Sequence, residues 1–116
     1  MAELMSFVVI LYVACHETTV NLICNGLLAL LEHPDQLERW RNDPALDSSA
    51  VDELLRFNGP VQNTVRVPLE PVTYTGLDGE PIVVDPGSIV TTCLGAANRD
   101  PALFDKPDDL RLDRPN

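Results

Sequence analysis

From residue 3 to residue 31 the chain contains no proline and a single glycine, Gly26. An uninterrupted run of that kind predicts one helix of about 29 residues, roughly 44 Å long. Its apolar residues fall on every side: Phe7, Val8, Val9, Ile10, Leu11 and Val13, then Leu22, Ile23, Leu27, Leu28, Leu30 and Leu31. A helix that is hydrophobic all round needs protein against all of its faces. His33-Pro34 closes it, because the residue before proline avoids helical geometry. Four polar residues, His16, Glu17, Thr18 and Thr19, interrupt the run at its middle. A membrane span needs about 20 apolar residues, and this run meets His16 after about a dozen, so no transmembrane segment is expected. Glu3 stands where a secretory leader would carry Lys or Arg, so the expectation is a soluble, cytoplasmic chain.

The remainder is shorter in grain. "PDQLERWRN", 34–42, predicts a short amphipathic helix entered at Pro34, with Leu37 and Trp40 on its inner face. A third helix is expected over 48–57, with Ser48 or Ser49 as N-cap and Asn58-Gly59-Pro60 as its stop. From 62 to 92 the texture turns to β: "TVRV", "PVTYTG", "EPIVV" and "SIVTT" are separated by Pro and Gly, and Asp78-Gly79 marks a tight hairpin turn. Over 95–116, "GAANRDP" allows one helical turn and the rest reads as an ordered, Pro-rich coil. The fold class expected is mainly α with small β hairpins, in one domain over 1–116.

At 116 residues the chain can bury one modest core. The formal charge of -10 repels phosphate backbones and anionic lipid, so neither nucleic acid nor a membrane surface is an expected partner. Seven of the eight cations are Arg, the side chain suited to bidentate carboxylate pairing in dry places. Cys15, Cys24 and Cys93 are odd in number and lack CxxC spacing. They are expected as small core residues in a reducing compartment, with no zinc site.

Two short patterns carry possible chemistry. In "ACHETT" the spacing puts Ala14 and Thr18 on one face at i, i+4, where the Thr18 hydroxyl can bond the Ala14 carbonyl and loosen the helix. Such a break suits a functional groove. The plainer reading is of back-bonded core threonines, with Glu17 paired to a distant Arg. No HExxH is present, since Val20 holds the position of the second His. In "ELLR", Glu53 and Arg56 stand at i, i+3, opposite an apolar face of Ala50, Val51, Leu54 and Leu55. Most such pairs are surface ion pairs worth a few tenths of a kcal/mol.

Taken in order, A-x-x-E-T-T on a long apolar helix, ExxR, an isolated Arg66 among β runs, "AANRDP" and "DRPN" resemble the cytochrome P450 family, the haem-thiolate monooxygenases, and most closely their soluble bacterial members. The resemblance runs from about residue 3 to residue 116. It implies that Glu17 and Thr18 are the acid and alcohol that relay protons to dioxygen at the haem, with Ala14 over the haem face. Arg66 falls where members hold a haem propionate, and Val61 and Gln62 where members line the substrate pocket. Glu53 and Arg56 match the family's ExxR, and Arg114 is the candidate for its third member. Buried charges of this kind are tolerable only when all are paired.

Two departures from the family pattern stand out. Cys15 replaces the usual Gly of the oxygen groove, bringing a thiol to the point where the helix opens. The family's axial Cys lies in a Gly-rich loop after the "DRPN" region, and no cysteine here has that context, so no metal ligand is expected within this chain. The expectation is therefore a partial domain without the amino-terminal half and the ligand loop, not catalytically competent as it stands. Haem, a small organic substrate and a ferredoxin- or flavoprotein-type electron donor belong to the complete enzyme. The alternative is a haem-free product acting as an interaction module or without function. Because two short helices and some hairpins cannot cover the long helix, one flank should remain apolar and exposed.

Overall fold

The computed structural model describes residues 1–115, apart from the side chain of Ala2; Asn116, the last residue of the expected 95–116 coil, lies outside the described residues. The order is α1 (Ala2–Glu32), α2 (Pro34–Asn42), a 3₁₀ turn (Pro44–Leu46), α3 (Asp47–Asn58), β1 (Asn63–Arg66), β2 (Val72–Thr75), β3 (Pro81–Val84), β4 (Val90–Cys93) and α4 (Leu94–Ala97). A coil then carries the chain through residues 98–115.

α1 is continuous, and Thr18 Oγ1 donates to Ala14 O at 2.6 Å without breaking it. The expected loosening is absent, because a hydroxyl can share a carbonyl that already serves the helix. α3 also begins differently from expectation. The 3₁₀ turn feeds into it directly, Leu46 precedes it, and Ser49 Oγ donates back to Leu46 O at 3.2 Å instead of capping.

The core lies where α1, α2, α3 and the carboxy-terminal coil converge. Ala29, Leu30, Ala50, Leu54, Leu110 and Leu112 are buried together, with Leu37, Trp40 and Phe57 packed around them. Gly26 permits the α1–α3 approach: a Cβ there would meet Leu54 Cδ1 at 3.2 Å. Trp40 Nε1 donates to Asp47 Oδ1 at 2.8 Å, joining α2 to the start of α3.

The β region forms two antiparallel pairs. β2 and β3 make a hairpin, Val72 opposite Val84 and Thr75 opposite Pro81, turned at Asp78-Gly79 with Gly79 at φ +85°. β1 pairs with β4 instead of with a sequence neighbour, Asn63 opposite Cys93 and Arg66 opposite Val90. This pair encloses the hairpin, and Gly95 N donating to Gln62 O at 3.1 Å extends it toward α4.

The amino-terminal part of α1 stands away from all this. Phe7, Val8, Val9, Ile10, Leu11, Tyr12 and Val13 are each more than half exposed. The radius of gyration is 18.5 Å, against about 13 Å for a compact chain of this length. α1 is long and apolar enough to cross a membrane by length and composition, a test that the core helix of a soluble protein also passes. The cysteines depart from expectation for the same reason: Cys15, Cys24 and Cys93 are all exposed thiols, because nothing among the described residues covers their faces.

Candidate functional site

Two constellations emerge. The first gathers beside the middle of α1. A cavity of about 450 Å³ is lined by Thr18, Thr19 and Leu22 of α1, Leu55 of α3, Gly59, Pro60 and Val61 of the following loop, and Leu94 and Asn98. Thr18 and Val61, 43 positions apart in sequence, thus face the same space. With its hydrogen engaged on Ala14 O, Thr18 Oγ1 keeps its lone pairs for an acceptor role. Ala14 and Glu17 are exposed on the same helix, and the Tyr12 and His16 rings stack at 5.2 Å on another side of it. Gln62 Nε2 donates to Gly59 O at 2.6 Å, which fixes the loop, but Gln62 itself does not line the cavity. Arg66 stands apart at the end of β1, exposed, with Nη1 donating to Val65 O at 2.9 Å.

The second constellation is buried. Glu53, Arg56 and Arg114 are at most 8% exposed, although the i, i+3 pair was expected opposite the apolar face. The reason is a division of α3: Ala50 and Leu54 meet the core, and Glu53 and Arg56 meet the carboxy-terminal coil, which leaves Val51 and Leu55 outside. Glu53 Oε2 accepts from Arg56 Nε at 2.7 Å and Arg114 Nε at 3.0 Å. Its Oε1 accepts from Arg56 Nη2 and from the Arg111 backbone N–H, both at 2.9 Å. Burial pushes the Glu53 carboxyl up, but the bonds from Arg56, Arg111 and Arg114 outweigh it and hold the group below the usual carboxylate range.

The guanidiniums then reach outward to backbone oxygens. Arg56 donates to Asn98 O at 2.7 Å, Pro107 O at 2.8 Å and Asp109 O at 3.3 Å. Arg114 donates to Asp105 O at 2.7 Å, Asp109 O at 3.1 Å and Lys106 O at 3.3 Å. One carboxylate and two guanidiniums therefore clamp a loop through its carbonyls. Lys106, at φ +47°, takes a left-handed turn that brings its own carbonyl into the set. No buried side-chain N or O lacks a partner among the described residues.

Donor chemistry limits what a cofactor could find here. An exposed Arg66 suits a carboxylate, and the Ala14 side of α1 suits a flat apolar surface. The thiols of Cys15, Cys24 and Cys93 are separate and exposed, and no group of three or more His, Cys, Asp and Glu able to hold a metal ion occurs among the described residues. The chemistry of Arg66 and Ala14 would suit the periphery of a haem.

No family model matches the chain. Individual relatives do. The vitamin D(3) 25-hydroxylase of Pseudonocardia autotrophica is 48% identical over 113 residues, and the biotin biosynthesis cytochrome P450 of Bacillus subtilis 44% over 112, each match taking in 97% of this chain. A crystal structure of P450BioI with an acyl-ligated acyl carrier protein superposes with a TM-score of 0.80 at 45% identity, over 90% of this chain and 26% of that one. This is a segment of the cytochrome P450 fold. The chain spans about a quarter of the length of these relatives, 27% of each curated one.

Within the P450 frame, several participants in the clamp carried no mark in the sequence. The carbonyls of Asn98, Asp105, Lys106, Pro107 and Asp109 and the N–H of Arg111 are backbone groups, which any residue provides. Phe57 and Phe104, which lie against its guanidiniums, could have been noticed only as isolated aromatics in a chain with few of them. Haem is the cofactor of the complete P450 to which such a segment corresponds.

Proposed function

We propose that this segment supplies the proton-delivery side of a haem-dependent monooxygenase that inserts one oxygen atom from dioxygen into a small organic substrate. Haem, when bound in the complete enzyme, supplies the oxidising chemistry, and the protein supplies orientation, protons and exclusion of water. The chain's own work is done by Thr18 and Glu17. Thr18 Oγ1 gives its hydrogen to Ala14 O and turns its lone pairs to the cavity, where it accepts from a water and holds that water in place. Glu17, exposed on the solvent side of α1, takes up protons from bulk and hands them to that water. Ala14 has no side chain beyond Cβ and would let a flat ring approach α1, while the Arg66 guanidinium would pair with a propionate. Val61 bounds the substrate space, and Gln62 sets the course of its loop through Gly59 O.

The observation that carries this reading is the shared cavity of Thr18 and Val61, which puts the alcohol beside the loop assigned to substrate. The complete enzyme would work in the cytoplasm with a ferredoxin- or flavoprotein-type electron donor. Cys15, next to Ala14, is an exposed thiol that does not line the cavity.

The test replaces the matching quarter of the Bacillus subtilis relative with residues 3–115. The chimera should bind haem and give the thiolate-type Soret band with carbon monoxide. Thr18→Ala should then divert electrons to peroxide and cut product per electron by about a hundredfold, the lower end of general acid–base effects. Equal coupling in the Thr18→Ala chimera would refute the relay. A second reading, a haem-free interaction module, is favoured by one observation, the exposed apolar residues at 4–13. The chimera separates the two: the first reading expects the thiolate-type Soret band with carbon monoxide, and a haem-free module expects none.

A further inference from the structure

The clamp carries an excess of charge. Arg56 and Arg114 bring two positive charges and Glu53 one negative, all buried. A buried charge without an equal and opposite partner is costly unless other groups solvate it. Part of that solvation comes from carbonyls, and the rest of the geometry points to aromatic faces. The Arg56 guanidinium carbon lies 5.2 Å from the Phe104 ring centre, and that of Arg114 lies 6.0 Å from the same ring. Arg56 also stands 6.0 Å from the Phe57 ring, on which Arg99 stacks at 4.6 Å.

These contacts form a single alternating series: Arg99, Phe57, Arg56, Phe104, Arg114. Three cations are separated by two rings. Each ring presents a partially negative face to the cations beside it, within the distance at which such attraction is effective. Arg99 is tied down at both ends of its fork, by Asp108 Oδ1 at 2.6 Å and Phe57 O at 2.8 Å. Phe57 and His33 also form a T-shaped pair, ring centres 5.7 Å apart at 86°, and His33 Nδ1 lies 2.8 Å from Ala29 O. The series therefore begins at the end of α1, crosses α3 and finishes in the carboxy-terminal coil.

We propose that Phe57 and Phe104 are positioning residues of the clamp, their ring faces holding the guanidiniums of Arg56 and Arg114 in register and compensating the unpaired positive charge. Phe104 acts on Arg56 and Arg114; Phe57 acts on Arg99 and Arg56. Filling of space alone would make no such distinction, so the two roles separate by experiment.

The measurement is hydrogen exchange of the arginine Nε–H groups by ¹⁵N-edited NMR on the full chain. In the parent, the Nε–H signals of Arg56 and Arg114 should be protected from exchange. Phe104→Leu, which keeps apolar bulk and removes the ring, should speed exchange at Arg56 and Arg114 by roughly tenfold and leave Arg99 unchanged. Phe57→Leu should speed Arg99 and Arg56 and leave Arg114 unchanged. Phe104→Trp, which retains a π face, should restore the parent rate to within about threefold. If the leucine variants do not fold, 4-fluorophenylalanine at 104 serves instead, since it preserves shape and weakens the negative face; exchange at Arg56 and Arg114 should rise. Unprotected signals in the parent, equal rates in parent and Phe104→Leu, acceleration of all three arginines alike, or no response to fluorination would each overturn the proposal.

Discussion

The two ends of this chain organise themselves by opposite means. The amino-terminal half of α1 is built almost wholly from large apolar side chains, yet Phe7 through Val13 lie more than half exposed. The carboxy-terminal coil is rich in Asp, Arg and Pro, yet it contains Leu112, fully buried, and Arg114, nearly so. Among the described residues at these two ends, hydrophobicity and burial therefore run in opposite directions. A helix satisfies most of its own backbone groups internally, whereas an irregular coil cannot be buried until every carbonyl finds a donor. The clamp meets that requirement with guanidiniums, so polar residues permit burial of Leu110 and Leu112.

The contrast can be broken at several points. The largest effect is expected from Glu53→Ala, which leaves two guanidiniums buried without their carboxylate. It should destabilise the chain by about 3–5 kcal/mol, read as a lower denaturation midpoint. Leu112→Ala should cost about 2–4 kcal/mol through the cavity left in the core. Acid should reproduce part of the Glu53 effect. Because the folded-state pKa of Glu53 is depressed, its stabilisation is complete above the unfolded value of about 4.3 and is lost as pH falls through the lower folded value. In Glu53→Gln, thermal melts should depend less on pH over that acid range than in the parent. Arg39→Ala breaks an exposed pair with Asp113 at 3.1 Å and should change stability by no more than about 1 kcal/mol. Ile10→Asp, on the uncovered face, should leave the chain's stability within about 0.5 kcal/mol.

How far the sequence could be read divides along the same line. Helix and strand positions were legible because they rest on local signals: Pro34, the Asn58-Gly59-Pro60 stop, and Asp78-Gly79. The spacing of Glu53 and Arg56 was legible as a pair, but an i, i+3 ion pair looks the same on a surface as in a core, so the expectation of burial with Arg114 rested on the family resemblance and not on the spacing. The β1–β4 pairing was hidden by the hairpin it encloses, because alternation names a strand and not its neighbour. The exposed cysteines mislead for another reason: apolar neighbours in sequence promise burial only if something in space covers them. Of the candidate groove, the residue types at Ala14, Glu17 and Thr18 were visible in the sequence. That Thr18 shares a cavity with Val61 required the fold.

Native-state amide hydrogen exchange, read residue by residue along the intact chain, tests most directly whether order resides in the clamp and its core. Amides at 52–57 and 110–114 should exchange only through cooperative unfolding, in step with the denaturant dependence of the whole. Those at 5–14 should exchange through local fraying, within roughly a hundredfold of an unstructured chain. Equal protection at both ends, or stronger protection at 5–14 than around Glu53, would contradict the account.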